Sequence, residues 1–301
     1  MSPESSTTAP RLACVVLAHA DPRHVRRLVA ALDPFPVFLH CDISAPEAVF
    51  AEMTSDLPAR CRVLPRMRTG WARWENVAAE LEGYRAALAT EATHVAVLTG
   101  SDYPLASTDE IDALLARHPG RSFARYHPLP YDQWGRSGGM DRLRYRHWVR
   151  GKRMLRLPVP RRLPRGLTFA GGSQLKVLAR EHAAAVLEVA DRRADLVRFF
   201  RRSWIADESF VGTVLSTPSL VPGWDREHVA SWLWYIGWDG SRRKSPPWLG
   251  REDWPALERH ARSSEGGVHP VFARKFSSDQ DTGVLDLIDR ELRHAEPGEV
   301  S

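Results

Sequence analysis

Asp207 and Glu208 stand side by side at the head of an apolar run over residues 209–215. A carboxylate in such a place is a candidate general base. A hydroxyl is a poor nucleophile at neutral pH, and a base within hydrogen-bond reach of it typically contributes ~10²–10⁴-fold in rate. Asp207 reads as the N-cap of a helix over 208–215, and the positive end of that helix would keep Glu208 ionised. The plainer reading is two acids that only cap a helix. Two cations, Arg243 and Lys275, are the natural complement. When a phosphate departs, charge builds on the bridging oxygen, and cations placed there stabilise the transition state more than the ground state. A divalent metal held by an Asp-x-Asp pair would be the other solution. The second strand ends in His40-Cys41-Asp42-Ile43-Ser44 without such a pair, and Asp279-Gln280-Asp281 lies in a polar stretch beyond Lys275, where it reads as chance. The expectation is a metal-free site.

Other cofactor chemistries find no support. No Gly-x-Gly-x-x-Gly follows the first strand, and no P-loop occurs. His19, His40 and His94 fall near strand ends without acidic or cysteine partners at metal spacing. Cys14, Cys41 and Cys61 are an odd number without metal spacing and read as thiols in a reducing compartment, not as a disulfide.

The elements that must position these residues alternate. Residues 12–18 form a continuous apolar run that suits a strand covered on both faces. Asp21 then caps a helix with Pro22 at its first position, and Val25, Leu28, Val29 and Leu32 fall at i, i+3, i+4, i+7. Short strands follow at 37–39, 62–64 and 94–98, with helices at 47–53 and 75–90. Ser107 and Glu110 predict a capping box for a helix over 111–117. Beyond residue 170 come a short strand to Leu178 and a helix over 180–191. This pattern predicts an α/β fold: a mostly parallel central sheet with helices on both faces. Such sheets bind ligands beyond the carboxyl ends of their strands. His19, Asp42 and Asp102 each follow a strand end and define one rim.

Residues 142–165 differ in character. Ten Arg and Lys crowd there with no acid among them, and Pro158, Pro160 and Pro164 break any helix. The segment reads as a solvated loop. Either it is a merely soluble basic loop, or it contacts an anionic acceptor or a membrane surface. The whole chain carries 42 basic and 37 acidic side chains, a net +5, which fits a small anionic ligand as well as nucleic acid. Its 11 Trp serve either as core or as stacking platforms for sugars or bases. No segment approaches the ~20 apolar residues of a membrane span. Residues 1–10 contain no Lys or Arg, so the apolar run after them reads as a core strand and not as a targeting segment.

Several of these stretches, in order, resemble the core-2/I-branching β-glycosyltransferase family, which also includes peptide xylosyltransferases. The resemblance covers roughly residues 12 to 290. It is carried by Val15 to Pro22, by Phe38-Leu39-His40-Cys41-Asp42, by Gly70-Trp71-Ala72-Arg73-Trp74 and by Leu98-Thr99-Gly100-Ser101-Asp102-Tyr103-Pro104-Leu105, the most specific stretch. It continues in Gly172-Ser173-Gln174, where Leu175 replaces the family's Trp, then in Asp207-Glu208-Ser209-Phe210 and in Phe272-Ala273-Arg274-Lys275-Phe276. The resemblance implies a GT-A type nucleotide-sugar fold and inverting transfer from a UDP-sugar without a metal cofactor. It implies Glu208 as the catalytic base and Lys275 at the donor diphosphate, with Arg243 as partner and Arg242 as the alternative. His19, Asp42, Trp71 and Asp102 fall on the side of the donor nucleoside and sugar, and Tyr235 and Trp238 in the acceptor region. It implies a single domain over 11–290. A nucleotide-binding half would span about 11–125, an Arg-rich excursion about 140–168 and an acceptor and catalytic half about 169–290, with a disordered N-terminus over 1–10 and a tail over 291–301. The animal members' membrane anchor, stem and disulfides find no match, so a cytoplasmic bacterial form is expected. The acceptor, whether carbohydrate, lipid-linked or small molecule, stays open. Nucleic acid is not an expected partner of such an enzyme. Two rivals remain: a binder of nucleic acid or anionic surfaces acting through residues 142–165, and an inactive sugar-nucleotide binder.

Overall fold

The computed structural model describes residues 11–150, 153–231, 233–238, 240, 245–263 and 268–294. The chain opens with β1 (Leu12–Ala18), α1 (Pro22–Ala31), β2 (Val37–Cys41), α2 (Glu47–Thr54), β3 (Cys61–Val63), α3 (Trp74–Ala87) and β4 (His94–Thr99). It continues with β5 (Asp102–Pro104), α4 (Thr108–Arg117), β6 (Ser122–Phe123), β7 (Tyr126–Pro128), α5 (Asp141–Arg144), β8 (Tyr145–Arg150) and β9 (Arg153–Pro160). The remainder is β10 (Ala170–Gly172), β11 (Lys176–Ala179), α6 (Arg180–Arg192), α7 (Ala194–Phe200), α8 (Phe210–Leu215), α9 (Trp224–Glu227), β12 (His228–Val229), β13 (Trp234–Ile236), α10 (Trp254–Arg262), β14 (Phe272–Arg274) and α11 (Gly283–Ile288).

Seven strands form the central sheet in the order β12-β6-β11-β4-β1-β2-β3. Pairings β1/β2, β1/β4, β2/β3 and β12/β6 are parallel, while β11 runs antiparallel to β4 and β6. The sheet is thus mostly parallel, as the βα alternation predicts. Its inner strands are apolar on both faces because both faces are covered. Alternate residues of β1 serve opposite cores: Leu12, Cys14 and Val16 pack with α1 residues Val25, Leu28 and Val29, and Ala13 and Val15 with Val77, Leu81 and Tyr84 of α3. Helix α3 lies very close to β1. A methyl group on Gly83 would stand 2.3 Å from Val15 Cγ1, so only glycine permits that approach.

The predicted caps form. Asp21 Oδ1 accepts from the His24 amide (3.1 Å), and Ser107 and Glu110 make a reciprocal capping box. Asp21 does more than cap. Its Oδ2 also accepts from Ser277 Oγ and the Ser278 amide, both 2.7 Å, fastening the segment after Lys275 to the start of α1.

Two expectations fail. Residues 145–150 and 153–160 are not a loop: β8 and β9 pair antiparallel as a ribbon. Prolines exclude a helix but are tolerated on strands whose amides need no partner, as on this two-stranded edge. Nor does Asp207 cap a helix over 208–215. Residues Ala206–Glu208 make a 3₁₀ turn, the helix begins at Phe210, and Ser209 precedes it without a side-chain cap. Asp207 is instead turned inward, where Asn76 Nδ2 donates to its Oδ2 (3.0 Å). Among the described residues, no helix is long and apolar enough to cross a membrane.

Candidate active site

A cleft of about 810 Å³ opens beyond the carboxyl end of the sheet. Asp207 and Glu208 line it, together with Trp134, Arg142, Gln174, Ile236, Trp238, Ser245 and Arg274. Elements distant in sequence supply each part. The 3₁₀ turn presents the carboxylates, the segment before α5 presents Trp134, α5 presents Arg142, and β13 and β14 present Ile236 and Arg274, which are paired across the strands.

Glu208 sits at this cleft with its side chain 36% exposed. Arg142 Nη1 donates to its Oε2 at 2.6 Å, while no described residue donates to Oε1. Burial of the carboxyl is the dominant influence and pushes the pKa above the ordinary carboxylate value, against the pull of the Arg142 guanidinium. Arg142, not a helix dipole, is therefore what favours the charged form, because Glu208 lies ahead of α8. Asp207 is more deeply set. Burial first, then the neighbouring Glu208 charge, raises its pKa to about 6, and its Oδ1 is buried without a partner among the described residues.

Arg142 is itself held by aromatic rings. Its guanidinium carbon lies 4.2 Å from the Trp134 ring centroid and 5.9 Å from that of Trp204. Trp134 packs on bare backbone, since a methyl on Gly139 or Gly171 would meet its ring at 2.7 and 2.6 Å. Tyr131 stands edge-on to Trp134 at 5.9 Å and stacks on His127 at 4.1 Å. A row of rings thus leads along the cleft wall to the Arg142–Glu208 pair.

The cationic wall is built on β14. Arg274 lines the cleft, and its Nε lies 3.4 Å from Asp102 Oδ1 across the β5/β14 pairing. Asp102 is fully buried and also accepts from the Thr99 amide (2.7 Å) and hydroxyl (3.1 Å). Burial raises its pKa against those donors and Arg274. Its reach in this structure is to Arg274. Lys275 stands at the rim: its Nζ donates to Ser245 Oγ (2.9 Å), which lines the cleft, and lies 4.1 Å from the Trp248 ring centroid. Burial, then Arg274, lowers the Lys275 pKa. Arg243 and Arg242 fall outside the described residues.

The remaining candidates separate. Trp238 lines the cleft and is 53% exposed. Tyr235 does not line it. Side chains alternate along β13, so Ile236 faces the cleft while Tyr235 turns to the His260 ring at 4.6 Å. His19 is exposed beyond β1. Asp42, beyond β2, is 3% exposed and does not line the cleft. Burial works against its charge, but hydrogen bonds from Ser44 and Thr69 outweigh it and hold the pKa low. Trp71, 39% exposed, meets Trp204 edge-on at 6.0 Å, which links the Asp42 corner to Arg142. Sequence reasoning missed Trp134, Tyr131, His127, Arg125 and Arg274 as cleft residues and saw Arg142 only as one of a basic crowd. The available signal was the Tyr131-to-Gly139 stretch, where two aromatics are followed by three glycines. Among the described residues, no three His, Cys, Asp or Glu side chains converge to hold a metal ion.

Known proteins resemble this chain over about two thirds of its length. Xylosyltransferase 2 of Mus musculus is 27% identical over 214 residues, covering 66% of this chain and 23% of that protein. Xylosyltransferase 2 of Homo sapiens is 27% identical over 216 residues with the same coverage. Xylosyltransferase oxt of Drosophila melanogaster is 26% identical over 200 residues, 62% of this chain and 22% of that protein. The chain thus spans less than a quarter of the length of these relatives. The model of the Core-2/I-Branching enzyme family matches residues 15–258, which include both carboxylates, Arg142 and the aromatic row. The chain belongs to the Core-2/I-Branching enzyme family.

Proposed function

We propose that this cleft transfers a sugar from a nucleotide-sugar donor, a UDP-sugar by the family resemblance, to an acceptor hydroxyl with inversion at the anomeric carbon. Glu208 accepts the hydroxyl proton as the oxygen attacks the anomeric carbon from the face opposite the nucleotide. The C–O bond to the diphosphate breaks as the new one forms, and the nucleotide leaves with the electron pair. Arg274 and Lys275 offset the charge that develops on it. The observation that carries this reading is a half-exposed carboxylate and a cationic wall lining one cleft. The base needs one open oxygen, and no described residue donates to Glu208 Oε1 while Arg142 holds Oε2.

The aromatic row from His127 to Trp134 suits the apolar faces of a sugar ring. The reading needs no metal: Arg274 and Lys275 take that role, and among the described residues no three His, Cys, Asp or Glu side chains converge to hold an ion. Asp102 serves this site indirectly, by orienting Arg274.

Glu208→Gln keeps the size and hydrogen bonding of the side chain and removes the basicity. We expect turnover to fall by ~10²–10⁴-fold, with donor affinity by titration calorimetry little changed. Asp207→Asn is the control. If Asp207→Asn abolishes turnover and Glu208→Gln does not, the base is the neighbour and the assignment is wrong.

A further inference from the structure

The β8–β9 ribbon has an exposed outward face. Residues 142–165 contain no Asp or Glu. The Arg142 guanidinium is committed to Glu208, and that of Arg156 pairs with Asp141 at 3.3 Å. Arg161 is spent on Leu143 O, Phe199 O and Ser203 Oγ. Arg146, Arg153, Arg162 and, beside the ribbon, Arg201 and Arg202 are exposed. Among the described residues, no carboxylate comes within ion-pair distance of these five.

The ribbon also carries exposed apolar side chains. Of seven exposed large apolar side chains among the described residues, three lie on this ribbon: Trp148 at 38%, Leu155 at 64% and Val159 at 67%. Trp148 and Leu155 are directly opposite in the ladder and so share a face. Arg153, two residues from Leu155, projects from that face as well. Arg202 lies over the Trp148 ring, 5.2 Å from its centroid. The other face is occupied: His147 is buried and stacks on Trp204 at 6.0 Å, and its amide donates to Arg202 O at 2.9 Å.

We propose that the β8–β9 ribbon docks on an anionic lipid bilayer, with Trp148, Leu155 and Val159 entering the headgroup layer and Arg146, Arg153 and Arg202 meeting lipid phosphates. Charge alone suits any polyanion. The aliphatic side chains decide the partner, because Leu155 and Val159 gain nothing from a row of phosphates over water but do gain from acyl chains beneath them. A tryptophan at headgroup depth and arginines whose apolar stems lie along the surface complete the pattern. The proposal stands whether or not the cleft transfers sugar.

Sedimentation of the full chain with phosphatidylcholine vesicles, with and without phosphatidylglycerol, tests it. Binding is expected only with phosphatidylglycerol present, falling as salt rises. Arg146→Gln and Arg153→Gln should each weaken it about fivefold, and Leu155→Ser roughly tenfold, with thermal unfolding unchanged because all three side chains are exposed. No binding to phosphatidylglycerol vesicles at low salt overturns the proposal. So does binding that the arginine changes weaken and Leu155→Ser leaves intact, above all if duplex DNA is retained with the same sensitivity, since the surface would then be one for nucleic acid.

Discussion

At the scale of single residues, the behaviour of the site turns on Arg142. Its guanidinium opposes the burial that raises the Glu208 pKa. A base works only when ionised, so activity is lost as pH falls through that pKa. Replacing Arg142 with Gln removes the pull towards the charged form and leaves burial unopposed. The acid limb of the pH–rate profile should therefore move to higher pH, while the rate on the alkaline plateau changes less than it does in Glu208→Gln. An acid limb that stays in place would mean that Arg142 does not face the base in solution. The Glu208 charge in turn helps to raise the pKa of the buried Asp207 to about 6, so Asp207 ionises after its neighbour.

At the scale of elements, the turn carrying the carboxylates depends on what lies behind it. Helix α3 touches that turn through Asn76 and the sheet through Glu80. Lys176 of β11 donates to Glu80 Oε1 at 2.7 Å, with both side chains fully buried, and Tyr84 donates to the same oxygen at 2.5 Å. A buried pair is weak evidence of net stability, but breaking it by removing one partner leaves an uncompensated charge at a cost of about 3–5 kcal/mol. Lys176→Met should lower stability by that amount in denaturant unfolding, and adding Glu80→Gln to it should recover much of the loss. Equal instability of the single and double variants would show that packing, not charge, is what the site requires. The pair ties α3 to β11, so the first half of the chain and the strand before α6 cannot separate without exposing it.

At the scale of the whole molecule, the cleft exists only because strands from both halves of the chain share a frame. Strand β11 inserts beside β4 in the central sheet, and β14 of the second half pairs with β5 of the first, which brings Arg274 and the Lys275 rim to the cleft that the 3₁₀ turn also lines. A donor spanning that cleft would tie these parts together. A nucleotide sugar at ~100 times its dissociation constant should add about 2.7 kcal/mol to stability, read as a rise of several degrees in the unfolding midpoint. The rise should be the same with and without EDTA. A shift that needs a divalent cation would replace the β14 cations as the diphosphate clamp.

Much of this architecture was legible locally. The period-3.6 pattern of Val25, Leu28, Val29 and Leu32, the Asp21 cap, the Ser107 box and the apolar runs of β1, β2 and β4 act within a few residues, so the sequence by itself determined those elements and the α/β class. The adjacent pair Asp207 and Glu208 was legible as a candidate for the same reason, and both line the cleft. Which residues meet across the cleft was not. Arg142 lies 66 residues before Glu208, and nothing in the basic run marks it off from its neighbours. Arg274 faces the cleft because Ile236 pairs with it, and Asp207 is buried because α3 lies behind it. Those outcomes depend on sheet order and on the approach of distant surfaces, which the tertiary structure alone decided, because contacts between remote segments leave no period in the chain.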